Sequence, residues 1–232
     1  MGKDLLIESE PWMSNLLYRL KDKLVNKSFV DVGVNVGQTL IKIKEVSPTV
    51  EYVGFEPNPY CVNYLLNLIE LNNLKNTTII PVALSNELNH LKLLLDNQST
   101  SDSSASFIKN YRKGKYHQID IITVKPSDLT IFQKIEIGII KIDVEGAELE
   151  VLDGLKGLIL RNKPHIIIEV LPVYKKENIE RLNRQKEIEN FIKEINYILF
   201  RIDEGNGDLV QIKNFGIHSD LSKCNYLLSP KK

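Results

Sequence analysis

Residues 29–37 read Phe-Val-Asp-Val-Gly-Val-Asn-Val-Gly, and Val53-Gly54-Phe55-Glu56-Pro57 follows about half a βαβ unit later. One apolar run therefore ends in Asp31 and a glycine-rich turn, and a second ends in Glu56. Two acids at neighbouring strand ends suit a nucleoside-like ligand at the carboxyl edge of an α/β sheet. The turn also carries information about the ligand's charge. Dinucleotide sites use G-x-G-x-x-G and seat a pyrophosphate on a helix N-terminus. Here Asp31 comes two residues before Gly33, and the next glycine is Gly37. A carboxylate in that turn repels a pyrophosphate and attracts an ammonium and a sulfonium. Those are the charges of the methionine part of S-adenosylmethionine (SAM).

The expected donor contacts follow from residue type. Gly33 permits close backbone approach, and Gly37 permits the turn into the next helix. Asn35 can bond its own backbone or a ligand carboxylate. Glu56 is placed to accept hydrogen bonds from two ribose hydroxyls, with Pro57 beside it. The backbone near Ala83 is expected at the adenine edge. Two other readings stay open: a tight β-to-α turn with a capping aspartate and no ligand, and a dinucleotide site.

A second constellation, Lys-Ile-Asp-Val-Glu-Gly-Ala-Glu, fills 141–148. A central parallel strand is normally apolar on both faces. Lys141 and Asp143 point to the same side, and buried charges cost several kcal/mol each unless paired. Glu169 ends the next apolar run, His-Ile-Ile-Ile-Glu-Val, at a comparable level. Asp143, Glu145 and Glu169 can thus converge beside a methyl donor. Asp143 is the first candidate for the base that takes the proton of an acceptor hydroxyl, and Glu145 the second. Asp143 and Glu169 could alternatively hold Mg²⁺, which would lower the hydroxyl's pKa. The purely structural alternative is a Lys141–Asp143 pair that ties the sheet to a neighbouring helix, with Glu145 as a cap. Glu148 and Glu150 suit the first turn of a helix.

The surrounding pattern is that of alternating strands and helices. Strands are expected at 28–33, 51–56, 77–83, 135–144 and 165–170. Helices are expected at 10–26, 37–46, 58–73, 147–154 and 176–195, with Asn58 capping the third and Pro59 in its first turn. A closing antiparallel set is expected at 196–203, 207–213 and 224–229, with Gly205-Asn206-Gly207-Asp208 as a hairpin turn. Between 88 and 125 the character changes. Leu91, Leu93 and Leu95 alternate, Asn97 to Ser106 is small and polar, and Ile119, Ile121 and Thr123 alternate again. This is expected to be an insertion whose 97–118 loop covers substrate, a plain linker being the alternative. Residues 1–27 are expected to form a helical cap on the same domain, and 28–232 the domain itself.

Asp-Val-Gly-Val-Asn-Val-Gly at 31–37, Glu56-Pro57, Val82-Ala83-Leu84-Ser85, the 141–148 stretch and Ile168-Glu169-Val170 occur in an order that resembles the FkbM-type methyltransferases. The resemblance implies an α/β class I SAM-methyltransferase (Rossmann-like) fold. That fold would be a single domain with a mostly parallel seven-stranded sheet, helices on both faces and an antiparallel C-terminal end. It also implies transfer to a hydroxyl of a sugar, glycan or secondary metabolite. It leaves a non-catalytic SAM-binding module of a glycan-assembly complex and an NAD(P)-linked oxidoreductase as alternatives. The tripeptide Asn58-Pro59-Tyr60 looks like the clamp of base methyltransferases, but it follows the second strand rather than the fourth.

Composition narrows the partners. The 232 residues carry no formal net charge, with 43% hydrophobic and 26% charged residues, as expected for one soluble α/β domain. Nucleic acid is a poor default partner for a neutral chain without a basic stripe. No apolar run is long enough to span a bilayer and no signal-peptide pattern opens the chain, so a cytoplasmic location is expected. Cys61 and Cys224 have no metal-ligand spacing. Of the four histidines, His165 is expected to be structural, and His117 is a secondary candidate for the base.

Overall fold

The computed structural model describes residues 9–96 and 116–231. The chain enters through α1 (Pro11–Leu20), which has proline in its first turn and buries Trp12, Met13, Leu16, Leu17 and Leu20. A 3₁₀ turn at Lys21–Leu24 ends it. Then come β1 (Ser28–Val32), α2 (Gln38–Val46), β2 (Tyr52–Phe55), α3 (Pro59–Leu71) and β3 (Thr77–Ile80). Asn58 caps α3, its side chain accepting from the Tyr60 N–H.

The strand expected over 77–83 stops at Ile80. Pro81 has no N–H to continue the ladder, and the Val82 N–H turns back to the Ile80 carbonyl at 2.9 Å. Ala83–Leu84 becomes β4, which pairs with β6 (Tyr116–Val124) rather than with the main sheet. β6 pairs antiparallel with β5 (Asn89–Asp96), placing Leu93 opposite Ile119 and Leu91 opposite Ile121. The loop expected to cover substrate, residues 97–118, falls largely outside the described residues, as does the side chain of His117.

A short α4 (Ile131–Lys134) leads to β7 (Ile137–Ile142). There follow α5 (Glu148–Asn162), β8 (His165–Glu169), α6 (Ile179–Glu194), β9 (Tyr197–Ile202), β10 (Leu209–Gln211) and β11 (Asn225–Pro230). Helix α5 runs well beyond the expected 147–154, because Val151, Leu152, Leu155 and Ile159 keep one face buried. It ends at Lys163, in the left-handed region, just before Pro164.

The main sheet has the order β10-β9-β11-β8-β7-β1-β2-β3. It holds eight strands where a seven-stranded sheet was expected, and the short edge strand β10 falls within the expected 207–213. The pairs from β8 through β3 are parallel. β11 runs antiparallel between β8 and β9. Strand residues alternate between two cores. Val30, Ile140 and Ile168 face α5 and α6. Phe29, Ile139 and Ile167 face α1, α2 and α3. From β1 the chain steps outward to β3 and then returns on the other side of β1 as β7. The loops after β1 and β7 therefore diverge, and a crevice opens between them at the carboxyl ends.

Candidate active site

The crevice is held open by a close contact. At Gly33 the backbone has φ 88°, and a Cβ there would stand 1.9 Å from the Asp143 carbonyl oxygen. Only glycine lets the ends of β1 and β7 approach this closely. Gly37, with φ 87°, starts α2, and a Cβ there would press on Leu65 and Leu68. Gly37 thus shapes the turn from behind and does not line the crevice.

Glu56 follows β2 and is only 6% exposed. Its Oε2 accepts the Asn35 N–H at 2.7 Å and its Oε1 the Asn58 N–H at 2.8 Å. One carboxylate thus fixes both the glycine turn and the start of α3. Burial pushes Glu56 up to about 7, against these two amides.

Asp31 does not sit where the spacing placed it. It is fully buried beneath the crevice and absent from its walls. The Tyr52 hydroxyl donates to its Oδ2 at 2.6 Å, while Oδ1 has no hydrogen-bond partner. Lys141 Nζ stands 3.9 Å from that orphan oxygen and donates to Asp143 Oδ2 at 2.9 Å. Asp143 is in turn hydrogen-bonded to Glu169. Tyr52, Asp31, Lys141, Asp143 and Glu169 thus make one continuous polar row across β2, β1, β7 and β8.

The titrations follow from this row. Burial raises Asp31 to about 6, against Lys141 and the Tyr52 hydrogen bond. Burial works against the charge on Lys141, but Asp143 and Asp31 outweigh it and hold the ammonium firmly protonated. Burial also opposes ionisation of Asp143, yet Lys141 and the Glu169 hydrogen bond keep it below the usual carboxylate range. Burial, and then the Asp143 charge, push Glu169 up to about 9. Of the pair, Glu169 is the member pushed towards its neutral form and Asp143 the member held ionised. Glu169 does not line the crevice, while Asp143 and Glu145 do.

Glu145 is held at φ 51° and Gly146 at φ 108°. A left-handed glutamate is a costly conformation that needs outside support. The Gly146 N–H donates to Glu148 Oε1 at 2.7 Å. Arg184 donates to the Gly146 carbonyl at 2.7 Å and to both Glu150 oxygens at 2.9 and 2.6 Å. Glu148 and Glu150 thus clamp the turn that presents Glu145, a role that first-turn helix statistics did not reveal. Burial pushes Glu148 up to about 7.

The crevice encloses about 630 Å³, part of it open to solvent. Gly33, Asn35, Pro57 and Ala83 are among its lining residues. Phe55, Cys61, Leu84, Leu93 and Val144 also line it and were missed. Alternation marked Leu93 as a strand residue, but nothing local said which surface its face would cover. Among the described residues three carboxylates line the space, from Glu56, Asp143 and Glu145, and no lysine or arginine does.

A metal is poorly served here. The Lys141 ammonium already engages Asp143 Oδ2 at 2.9 Å, and burial and the Asp143 charge push Glu169 towards its neutral form. Among the described residues no group of three or more His, Cys, Asp and Glu side chains is placed to hold a metal ion. His165 lies at the opposite end of β8, within 3.2 Å of Ser229 Oγ. Burial, then Lys23 and Lys27, lower it to about 4. Cys61 and Cys224 are buried and not joined in a disulfide, and the Cys61 thiol donates to Asn35 Oδ1 at 3.5 Å.

A family model for the methyltransferase FkbM domain matches residues 31–199. The chain belongs to the FkbM methyltransferase family. Among solved structures, an FkbM methyltransferase from Methylobacillus flagellatus KT is 16% identical with a TM-score of 0.55, over 88% of this chain and 43% of that one. This FkbM-family chain thus spans less than half the length of that protein. A Staphylococcus aureus protein provisionally assigned as a caffeoyl-CoA O-methyltransferase is 12% identical with a TM-score of 0.53, over 94% and 82% of the two chains. A Klebsiella pneumoniae protein provisionally assigned as an O-methyltransferase is 11% identical with a TM-score of 0.50, over 99% and 90%. At these identities the likeness is one of fold, and the fold is that of class I SAM-dependent methyltransferases. A search of curated proteins finds no match. The FkbM match runs from Asp31 to Leu199 and so takes in the whole polar row. No helix among the described residues is long and apolar enough to cross a membrane.

Proposed function

We propose that the crevice binds SAM and that this chain, acting in the cytoplasm, moves its methyl group to a hydroxyl of a sugar, glycan or secondary metabolite. The observation that carries the reading is the lining of the crevice. Three carboxylates, with no lysine or arginine among the described lining residues, suit a ligand bearing an ammonium and a sulfonium and would repel a diphosphate. Glu56, already fixed by two backbone amides, keeps lone pairs free for a ribose diol. Asp31 contributes from below, by holding Lys141, and does not touch the ligand.

Bound SAM would supply an electrophilic methyl group. The protein's part is to orient the acceptor oxygen and take its proton. Asp143 is the base of choice: it is ionised at neutral pH, partly open to the crevice and held in place by Lys141 and Glu169. Glu145, on the strained turn beside it, is the second candidate. Lys141 and Glu169 are positioning residues that keep Asp143 charged and aimed. No step is assigned to Mg²⁺.

Calorimetric titration with SAM, S-adenosylhomocysteine and NADH tests the donor. Binding of the two sulfur compounds and not of NADH is expected, and the opposite pattern restores the oxidoreductase reading. Screening hydroxyl acceptors for S-adenosylhomocysteine release, with Asp143→Asn as control, separates an enzyme from a binding module. Turnover that survives Asp143→Asn removes Asp143 from the mechanism.

A further inference from the structure

The hairpin formed by β5 and β6 reaches the crevice with one side chain. Leu93 lines it, together with Ala83 and Leu84 of β4, which β6 pairs with directly. Leu93 is 3% exposed and belongs to a small core of its own with Ala83, Leu95 and Ile121, flanked by Leu91 and Ile119. This cluster is separate from the two cores that hold the main sheet. A two-stranded hairpin is only marginally stable by itself. Two of the cluster's four buried members among the described residues, Ala83 and Leu93, also line the crevice. On the same stretch of wall, Phe55 and Leu84 offer flat or branched apolar surface and no charge. The carboxylates of Asp143 and Glu145 come from the β7 side instead.

Resting on the donor reading above, we infer that Leu93 is a binding residue for the purine of the donor, and that the purine completes the satellite core of the hairpin. The inserted hairpin is then part of the donor site itself. A purine resting on Leu93 adds van der Waals contact to a wall whose described members are already almost covered, so binding and the stability of β5 and β6 rise together.

The test uses the whole chain with S-adenosylhomocysteine and with 5′-methylthioadenosine, which keeps the purine and lacks the amino acid. Leu93→Ala is expected to weaken both ligands by a similar factor, about threefold or more. Hydrogen exchange of the wild type needs no variant. Amides of 89–95 and 118–124 should gain protection when either ligand binds. Wild-type affinity in Leu93→Ala, or a hairpin whose exchange ignores a bound ligand, overturns the inference while leaving the donor reading intact. Failure of the wild type to bind either ligand overturns the donor reading, and this inference with it.

Discussion

The Nζ of Lys141 stands 2.9 Å from Oδ2 of Asp143, and both side chains lie on the same face of the sheet at the carboxyl end of one chain segment. A lysine 8% exposed, in a strand that is otherwise apolar, is balanced by Asp143 and Asp31, with Glu10 adding to them. Removing the cation leaves buried Asp31 and half-buried Asp143 without their shared counter-charge. Lys141→Met should therefore destabilise the fold by about 3–5 kcal/mol and raise the pKa of Asp143. Urea unfolding measures the first effect. A variant as stable as the wild type would mean that the row is not electrostatically coupled.

The shared proton of Asp143 and Glu169 makes a pH prediction with a definite sign. Glu169 ionises near 9 in the folded chain, against an ordinary value of 4.5. Between those values the folded state binds the proton that the unfolded state has lost, so stability falls as pH rises. Relative to Glu169→Gln, which cannot ionise, the wild type should lose up to about 1.4 kcal/mol per pH unit across this window. Unfolding free energies of the two proteins at pH values from about 5 to about 9 measure it. A constant difference would place the proton elsewhere.

Glu56 can be separated from fold stability by ligand affinity. Glu56→Gln offers only one acceptor oxygen, so it cannot serve the Asn35 and Asn58 amides and a ribose diol together. Charged hydrogen bonds are worth roughly 1.5–3 kcal/mol, which corresponds to a loss of about tenfold to a hundredfold in S-adenosylhomocysteine affinity. Calorimetry on the folded variant decides, and unchanged affinity would move the ribose away from Glu56.

Gly33→Ala tests the contact that holds the crevice open. The new Cβ would fall 1.9 Å from the Asp143 carbonyl oxygen, at a φ of 88°. Backbone must move, so a loss of at least about 2 kcal/mol is expected. A melting temperature equal to that of the wild type would show that β1 and β7 separate easily.

Much of this molecule was legible in one dimension. The apolar runs ending in Asp31, Glu56 and Glu169 lie at strand ends, and Lys-Ile-Asp-Val-Glu-Gly carries two of the three acids of the crevice. A parallel sheet buries both faces of each strand, so an ionisable residue near a strand's end stands out against an apolar background. The strand expected over 77–83 failed for a local reason, because Pro81 ends the ladder, while the expected 207–213 strand shortens to three residues at an exposed edge. The roles of Glu148 and Glu150 were hidden because Arg184 comes from a distant helix.

The order of strands and acids along the chain was thus enough to specify the fold class, the family and the level at which the crevice opens, because those depend on periodicity and on which residues tolerate positive φ. Which acids face the crevice was decided only by packing. Asp31 is drawn beneath it by Tyr52 and Lys141, the shared proton settles on Glu169 because Asp143 has the lysine, and Leu93 arrives from a hairpin far along the chain. Each of these depends on partners remote in sequence, and the energy of a buried charge is set by what surrounds it in space.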